Sequence, residues 1–153
     1  MKNKIFIWIC ACFILVCGCH KEDDDDNSPF LDAETQVIKI VNQERSKAGL
    51  QPLQMNESLM RSSRIRAKEI KDKFSHTRPD GSGCFTVIEE SMSYGAAGEN
   101  IAAGQSDAES VMNSWMNSEG HRNNILSEKY TDIGVGCYEE ENRLYWVQLF
   151  IGR

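Results

Sequence analysis

The chain has 153 residues, with 17 basic and 23 acidic residues for a net charge of −6, and is 41% hydrophobic and 26% charged. That acidic balance argues against nucleic acid and anionic membrane surfaces as partners. The length allows one domain with a respectable core and little besides.

The first eighteen residues do not belong to the fold. Lys2 and Lys4 make a basic start, and Ile5 to Val16 are almost wholly apolar, too short to span a bilayer comfortably but right for the core of a signal peptide. Val16-Cys17-Gly18-Cys19 resembles a bacterial lipobox, which implies cleavage after Gly18 and a lipid on Cys19. An ordinary secretory signal or an uncleaved anchor is the alternative; an ordinary cleavage site wants small residues at both minus three and minus one, and Val16 fits a lipobox better.

Residues 19–31 form an acidic tether. The run Glu22 to Asp26 has nothing apolar to bury and stays solvated and extended. A lysine and acids directly behind a lipidated cysteine also resemble the surface-export signal of Bacteroidota lipoproteins, which would place the protein on the outer face of the outer membrane. Removal of residues 1–18 leaves 15 basic against 23 acidic residues, a mature charge of −8. Residues 32–153 are then one domain without internal repeats, expected to be a monomer.

Cys10, Cys12, Cys17 and Cys19 fall in the signal or at the lipidation site, so the domain keeps only Cys84 and Cys137. An isolated pair in an exported chain points to a disulfide, worth roughly 4 kcal/mol by loop entropy. Two buried thiols are the alternative.

The domain opens with a helix from Asp32 to Lys47, with Val37, Ile38 and Val41 on one face, Asp32 able to cap it and Gly49 to end it. A second helix runs from about Asn56 to Lys73, with Leu59, Met60, Ile65 or Ala67, and Ile70 inward and many of its arginines and lysines toward water. Pro79 and Asp80-Gly81 then mark a turn, so His76 projects from a helix end or the loop behind it. Alone, such a histidine is usually a partner for free carbonyls.

Residues Cys84 to Ser91 form a short helix or turn, and Tyr94 to Gly104 is rich in glycine and alanine. Within it Gly98-Glu99-Asn100 holds a carboxylate among small residues. Turned inward, Glu99 needs a partner; turned outward, it is a solvated loop glutamate.

A third helix starts at a Ser106/Glu109 capping box, carries Val111, Met112, Trp115 and Met116 as its apolar stripe, and stops at Gly120. His121 stands directly behind that stop, followed by Arg122, Asn123 and Asn124 in front of Ile125 and Leu126. Packing alone does not call for so many polar groups. Ile133 to Tyr138 and Arg143 to Ile151 read as two strands of a hairpin. Helices first and paired strands last give an α+β domain with helices on an antiparallel sheet.

His76 before a proline turn, Gly98-Glu99-Asn100, Trp115 leading to Gly120-His121-Arg122-x-Asn124-Ile125-Leu126, Ile133-Gly134-Val135-Gly136, and Tyr145-Trp146-Val147-Gln148 together resemble the CAP superfamily. This is the family of cysteine-rich secretory proteins, antigen 5 and pathogenesis-related proteins, and the match is to its small bacterial branch. The resemblance covers about Glu34 to Ile151. It implies a three-layer α-β-α sandwich with a central antiparallel sheet, and a cleft where two histidines and two acids meet.

Position by position, His76, Glu99 and His121 match. The second acid of animal and plant members stands three residues after the tryptophan, where this chain has Ser118; Glu119 is the next residue, about 100° further round a helix. The implied cleft is therefore His76, Glu99, His121 and either Glu119 or Ser118. Two neutral imidazoles suit zinc or another divalent ion, held weakly and with open positions, while a carboxylate orients one ring.

Three functions fit such a cleft. One is a binding module for an extracellular small molecule, lipid, glycan or peptide. A second is a hydrolase, with metal-bound water or Ser75 or Ser118 as nucleophile, a histidine as base and Glu99 orienting it. No Gly-x-Ser-x-Gly or His-Glu-x-x-His motif supports the second. The third is a hydrogen-bonded brace, the main reading for Asn100, Arg122 and Asn124.

Overall fold

The computed structural model describes residues 28–153. The signal, the lipidation site Cys19 and most of the tether lie outside the described residues. The first element is helix α1, Leu31–Lys47, which buries Val37, Ile38 and Val41. Asp32 sits in its first turn, with Phe30 at the N-cap and no side-chain cap. Gly49, at φ 76°, turns the chain away just past the end.

A two-residue strand β1, Gln54–Met55, leads into helix α2, Glu57–Asp72. Asn56 caps α2 by accepting the Leu59 amide at 3.2 Å. Leu59, Met60, Ala67 and Ile70 are buried, whereas Ile65 is 48% exposed. After a 3-10 turn at Cys84–Val87 come strand β2 (Ala96–Ala103), helices α3 (Ala108–Met116) and α4 (Glu119–Ile125), and strands β3 (Asp132–Glu140) and β4 (Arg143–Gly152). Glu141 and Asn142, both at positive φ, close the β3–β4 hairpin.

The sheet order is β1-β3-β4-β2, with β3–β4 and β2–β4 antiparallel and β1–β3 parallel. The sheet is thus mixed, not purely antiparallel. β1 and β3 are separated by α2, β2, α3 and α4, and so long a connection lets the two strands run the same way.

Side chains alternate across this sheet and so define two cores. On one face Val37, Val41, Val111, Met112, Trp115 and Ile125 of α1, α3 and α4 pack on Ile133, Val135, Trp146 and Phe150. On the other, Leu59, Ala67 and Ile70 of α2 pack on Val147, Leu149 and Ile151. The result is the expected three-layer α-β-α sandwich.

Two glycines let α2 lie directly on β3. A Cβ at Gly134 would overlap the backbone of Leu59, and one at Gly136 the backbone of Ser63 and Arg64. Beyond β1 the outer edge of β3 is closed by side chains, because a buried amide needs an acceptor. Val135 N donates to Met60 Sδ at 3.1 Å and Cys137 N to Glu34 Oε1 at 2.9 Å. Arg64 holds the fully buried Glu34 at 2.7 Å.

The expected Cys84–Cys137 disulfide is corrected here: both thiols are free and buried. Cys137 belongs to the α1/α3 face. Cys84 lies near Glu99 and Arg66, on the α2 face, so a bond would have to pass through the sheet. Burial pushes the Cys84 thiol up to about 11 and the Cys137 thiol up to about 12, which leaves both protonated and unreactive.

Candidate functional site

The site is built around β2. Its segment Ala-Ala-Gly-Glu-Asn-Ile-Ala-Ala is a strand paired along its length with β4, so Glu99 stands opposite Leu149 and Asn100 opposite Gln148. Glu99 is therefore neither a loop residue nor solvated. Consecutive strand residues face opposite sides, so Glu99 projects into the α2 layer and Asn100 into the α3/α4 layer. Gly98 completes the motif, because a Cβ there would overlap the Tyr130 hydroxyl.

On the α2 side, Glu99 Oε1 accepts Arg66 Nε at 2.8 Å and Glu99 Oε2 lies 2.6 Å from His76 Nδ1. Arg66 also donates to Glu69 Oε2 and to the Ser75 carbonyl, both at 2.8 Å. Glu69 takes Arg78 at 2.6 Å from its other side. The loop carrying His76 is thereby fixed from beneath by a chain of alternating charges, while the imidazole itself remains 60% exposed.

Burial opposes the charge on Glu69, but hydrogen bonds from Arg78 and Arg66 outweigh it and hold the carboxyl below its ordinary pKa. Sequence reading missed this network. Many of the cations of α2 were expected in solvent, yet Arg66 is fully buried. The i,i+3 spacing of Arg66 and Glu69 was the available signal.

On the other side, Asn100 Nδ2 donates to the His121 carbonyl at 3.1 Å and to Gln148 Oε1 at 3.0 Å. Asn124 donates to Asn100 Oδ1 at 2.9 Å and to the Glu99 carbonyl at 3.2 Å, and Arg122 to the Met116 carbonyl at 2.8 Å. These three residues brace the chain that carries His121.

That chain differs from expectation in two places. The cap of α3 is Asp107, whose carboxylate accepts Ser110 N at 2.7 Å in a reciprocal capping box, not Ser106 with Glu109. Gly120 does not end α3, which stops at Met116; Ser118 is the N-cap of α4, and Gly120 and His121 lie inside that helix. Short polar residues at Asn117 and Ser118 favour a cap over a helix interior.

Between the two histidines a hollow of about 570 Å³ opens against the outer side of β2. His76, His121, Ser75, Ser118, Gln105 and Ser114 give its polar lining, and Phe74, Ile101 and Trp115 its main apolar walls. Trp115 is fixed by a 3.3 Å hydrogen bond to the Ile101 carbonyl. Glu99 supports the hollow from behind His76, and Glu119 is exposed and outside its lining. His76, Glu99 and His121 are thus brought together, with Ser118 where the fourth group of the cleft would stand.

Burial, and then the neighbouring imidazole of His76, hold the His121 imidazole below its ordinary pKa and therefore neutral at pH 7. A neutral ring presents a lone pair to an electrophile. Glu99 occupies Nδ1 of His76, which leaves Nε2 as its other coordinating atom. Among the described residues no three His, Cys, Asp or Glu side chains converge as a metal cage. The donor set fits a two-nitrogen site with open positions and no closed structural site.

With this geometry in place, the sequence profile of the cysteine-rich secretory protein family, CAP, matches residues 38–150. The chain belongs to the CAP family. It is 46% identical over 123 residues to YkwD of Bacillus subtilis, an alignment that spans 78% of this chain and 47% of YkwD. Among solved structures, an extracellular protein containing an SCP domain from Bacillus anthracis is similar, with a TM-score of 0.74 and 32% identity, over 80% of this chain and 41% of that one. An outer surface protein of Borrelia burgdorferi shares the fold, with a TM-score of 0.71 and 20% identity, over 82% of this chain and 96% of that one. This CAP chain spans about half or less of the length of the curated relatives it matches.

Proposed function

We propose that the protein is an exported binding module, anchored to the outer membrane through a lipid on Cys19 and facing outward. Its β2-side hollow takes an extracellular ligand, and His76 and His121 hold a zinc ion or similar divalent cation weakly within it. The observation that carries this reading is the convergence on one hollow with an aromatic wall of two histidines, His76 held at its imidazole by Glu99 and His121 at its backbone by Asn100.

An ion held there would supply Lewis-acid positions for a ligand's oxygen or nitrogen atoms. The protein contributes the fixed Nδ1 contact of His76, the neutral ring of His121 and the apolar surface of Trp115 and Phe74. Binding is favoured over nucleophilic catalysis, because among the described residues neither candidate serine is hydrogen-bonded to an imidazole: Ser75 Oγ accepts the Thr77 amide at 3.1 Å, and Ser118 Oγ is paired with neither histidine. Support for the location comes from the lipobox-like Val16 to Cys19 and from relatives described as extracellular and outer surface proteins.

Calorimetric titration with zinc of the mature chain, its His76→Ala form and its His121→Ala form tests the site. Binding lost in both variants is the expected result, and absence of heat in the unaltered protein ends the metal reading. Labelled palmitate incorporated by the wild type and not by Cys19→Ser tests the anchor.

A further inference from the structure

A second concavity follows the seam between α1 and α3, away from both histidines. Its larger part, about 700 Å³, has Phe30, Leu144 and Trp146 as an apolar floor and Asp32, Asp107, Glu109 and Glu139 as its charged residues. A smaller part of about 380 Å³ adds Ile40, Met112 and Met116, with Glu44. Gln36 and Glu109 line both parts and are hydrogen-bonded at 3.4 Å across the seam, so the two parts adjoin along one face.

Among the described residues no lysine, arginine or histidine lines either part. Glu44 is paired with Lys47. Asp32, Asp107, Glu109 and Glu139 have no salt bridge among the described residues. Asp107 is held below its ordinary pKa by hydrogen bonds from Ser106 and Ser110, so it stays charged. The histidine hollow is the reverse, with no carboxylate in its lining. One acidic chain thus carries two concavities of opposite character.

We propose that the α1–α3 seam is a docking groove for a short cationic, amphipathic peptide segment of a partner protein. Its apolar side chains would cover Phe30, Ile40, Met116 and Leu144, which are only half-buried here, and its lysines or arginines would meet the unpaired carboxylates. Apolar burial supplies affinity, and charge complementarity supplies selection and approach rate. The same carboxylates repel anionic lipid and nucleic acid. The run Glu22 to Asp26 has the same sign as these carboxylates, so charge favours a partner segment over the chain's own acidic run.

The test uses the chain from Cys19 onward with Cys19→Ser, and a fluorescein-labelled synthetic peptide of lysine and leucine patterned as an amphipathic helix. A glutamate and leucine peptide of the same pattern is the control, with fluorescence anisotropy as the readout. Only the lysine peptide is expected to bind, more weakly as salt is raised. Combining Asp32→Asn, Glu109→Gln and Glu139→Gln is expected to weaken it by about tenfold or more. Combining Glu57→Gln, Glu90→Gln and Glu128→Gln, an equal charge change at exposed acids outside both parts of the groove, is expected to change it by less than about twofold. Leu144→Asn tests the floor and is expected to weaken the lysine peptide without altering the circular dichroism spectrum. No binding, or equal losses in the two triple variants, overturns the proposal. So does calcium binding that the first triple variant removes when the lysine peptide does not bind, since that makes the seam a cation site.

Discussion

Glu99 and His76, 23 residues apart in sequence, meet through a 2.6 Å contact between Oε2 and Nδ1. The next residue, Asn100, reaches the backbone of His121 from the opposite face of the same strand. A single dipeptide therefore sets both histidines, using nothing but the two-residue alternation of a β-strand. The family motif Gly-Glu-Asn has a geometric meaning: the glycine admits Tyr130, the acid holds the His76 imidazole and the amide holds the backbone of His121.

Glu99→Ala is expected to cost about 1.5–3 kcal/mol in urea-induced unfolding, because the buried guanidinium of Arg66 loses its Nε partner while Glu69 and the Ser75 carbonyl still hold its other nitrogens. Glu99→Gln keeps the volume and is the sharper probe. Nitrogen chemical shifts of His76 would then show the Nδ1–H tautomer losing population, with His121 unchanged. Retention of the wild-type tautomer would mean that Glu99 does not orient the ring.

The charge ladder beneath the site also gives a pH dependence. Glu69 is held below its ordinary pKa in the folded protein, so in the window between the folded and unfolded values the unfolded chain binds more protons. Stability from this group is present above about pH 4.5 and is lost as pH falls through the folded value. Glu69→Gln is expected to lower stability at neutral pH and to flatten the acid limb of the unfolding profile. An unchanged acid limb would show that Glu69 contributes nothing to it.

Two kinds of information in this chain differed in legibility. Helix α2 was readable from Asn56 and the spacing of Leu59, Met60, Ile65 or Ala67, and Ile70, of which Ala67 and not Ile65 is buried, and the β3–β4 hairpin from its branched and aromatic residues. Strand β2 was not, because a run of alanine and glycine has little intrinsic strand preference and is held by β4 on one side. Arg66 was hidden for a related reason. A basic residue among basic neighbours looks solvated until Glu99, 33 residues later, is brought against it. Parallel pairing of β1 was likewise invisible in two residues. The histidines became a site through the family motifs, since 45 residues of separation carry no spacing signal.

The free thiols give a simple chemical test. In the described domain Cys84 and Cys137 are both buried and shifted upward, so a thiol reagent is expected to react with neither in the native state and with both after unfolding. Reductant should leave the melting temperature unchanged. A lower melting temperature in reductant would instead reveal a disulfide and contradict the placement of the two residues on opposite faces.

Gly136→Ala is expected to be among the most damaging single-methyl changes in the domain. The new Cβ meets the backbone of Ser63 and Arg64, which no rotamer change can move aside. Displacing α2 would also disturb Arg64 on Glu34 and Arg66 on Glu99. A loss of about 3 kcal/mol, or a melting temperature lower by roughly 10 °C, is expected. The same change at Gly120, where an added Cβ meets nothing within 4 Å, is expected to be neutral or slightly stabilising. Comparing the two by thermal melting separates close packing from generic loss of glycine.

Ser118 and Glu119 differ by one step at the start of α4, and that step decides what the hollow can hold. Ser118 lines it at an N-cap position with no capping hydrogen bond, while Glu119 faces solvent. Ser118→Asp therefore places a carboxylate in the hollow beside two imidazoles at little cost, since aspartate is also a good N-cap. With three ligands in place of two, zinc affinity is expected to rise by about tenfold or more, and Glu119→Gln to leave it unchanged. If calorimetry shows instead that Glu119→Gln weakens zinc and Ser118→Asp does nothing, α4 must turn in the bound state to bring Glu119 inward. The two substitutions together thus report whether the register seen here is the one that binds.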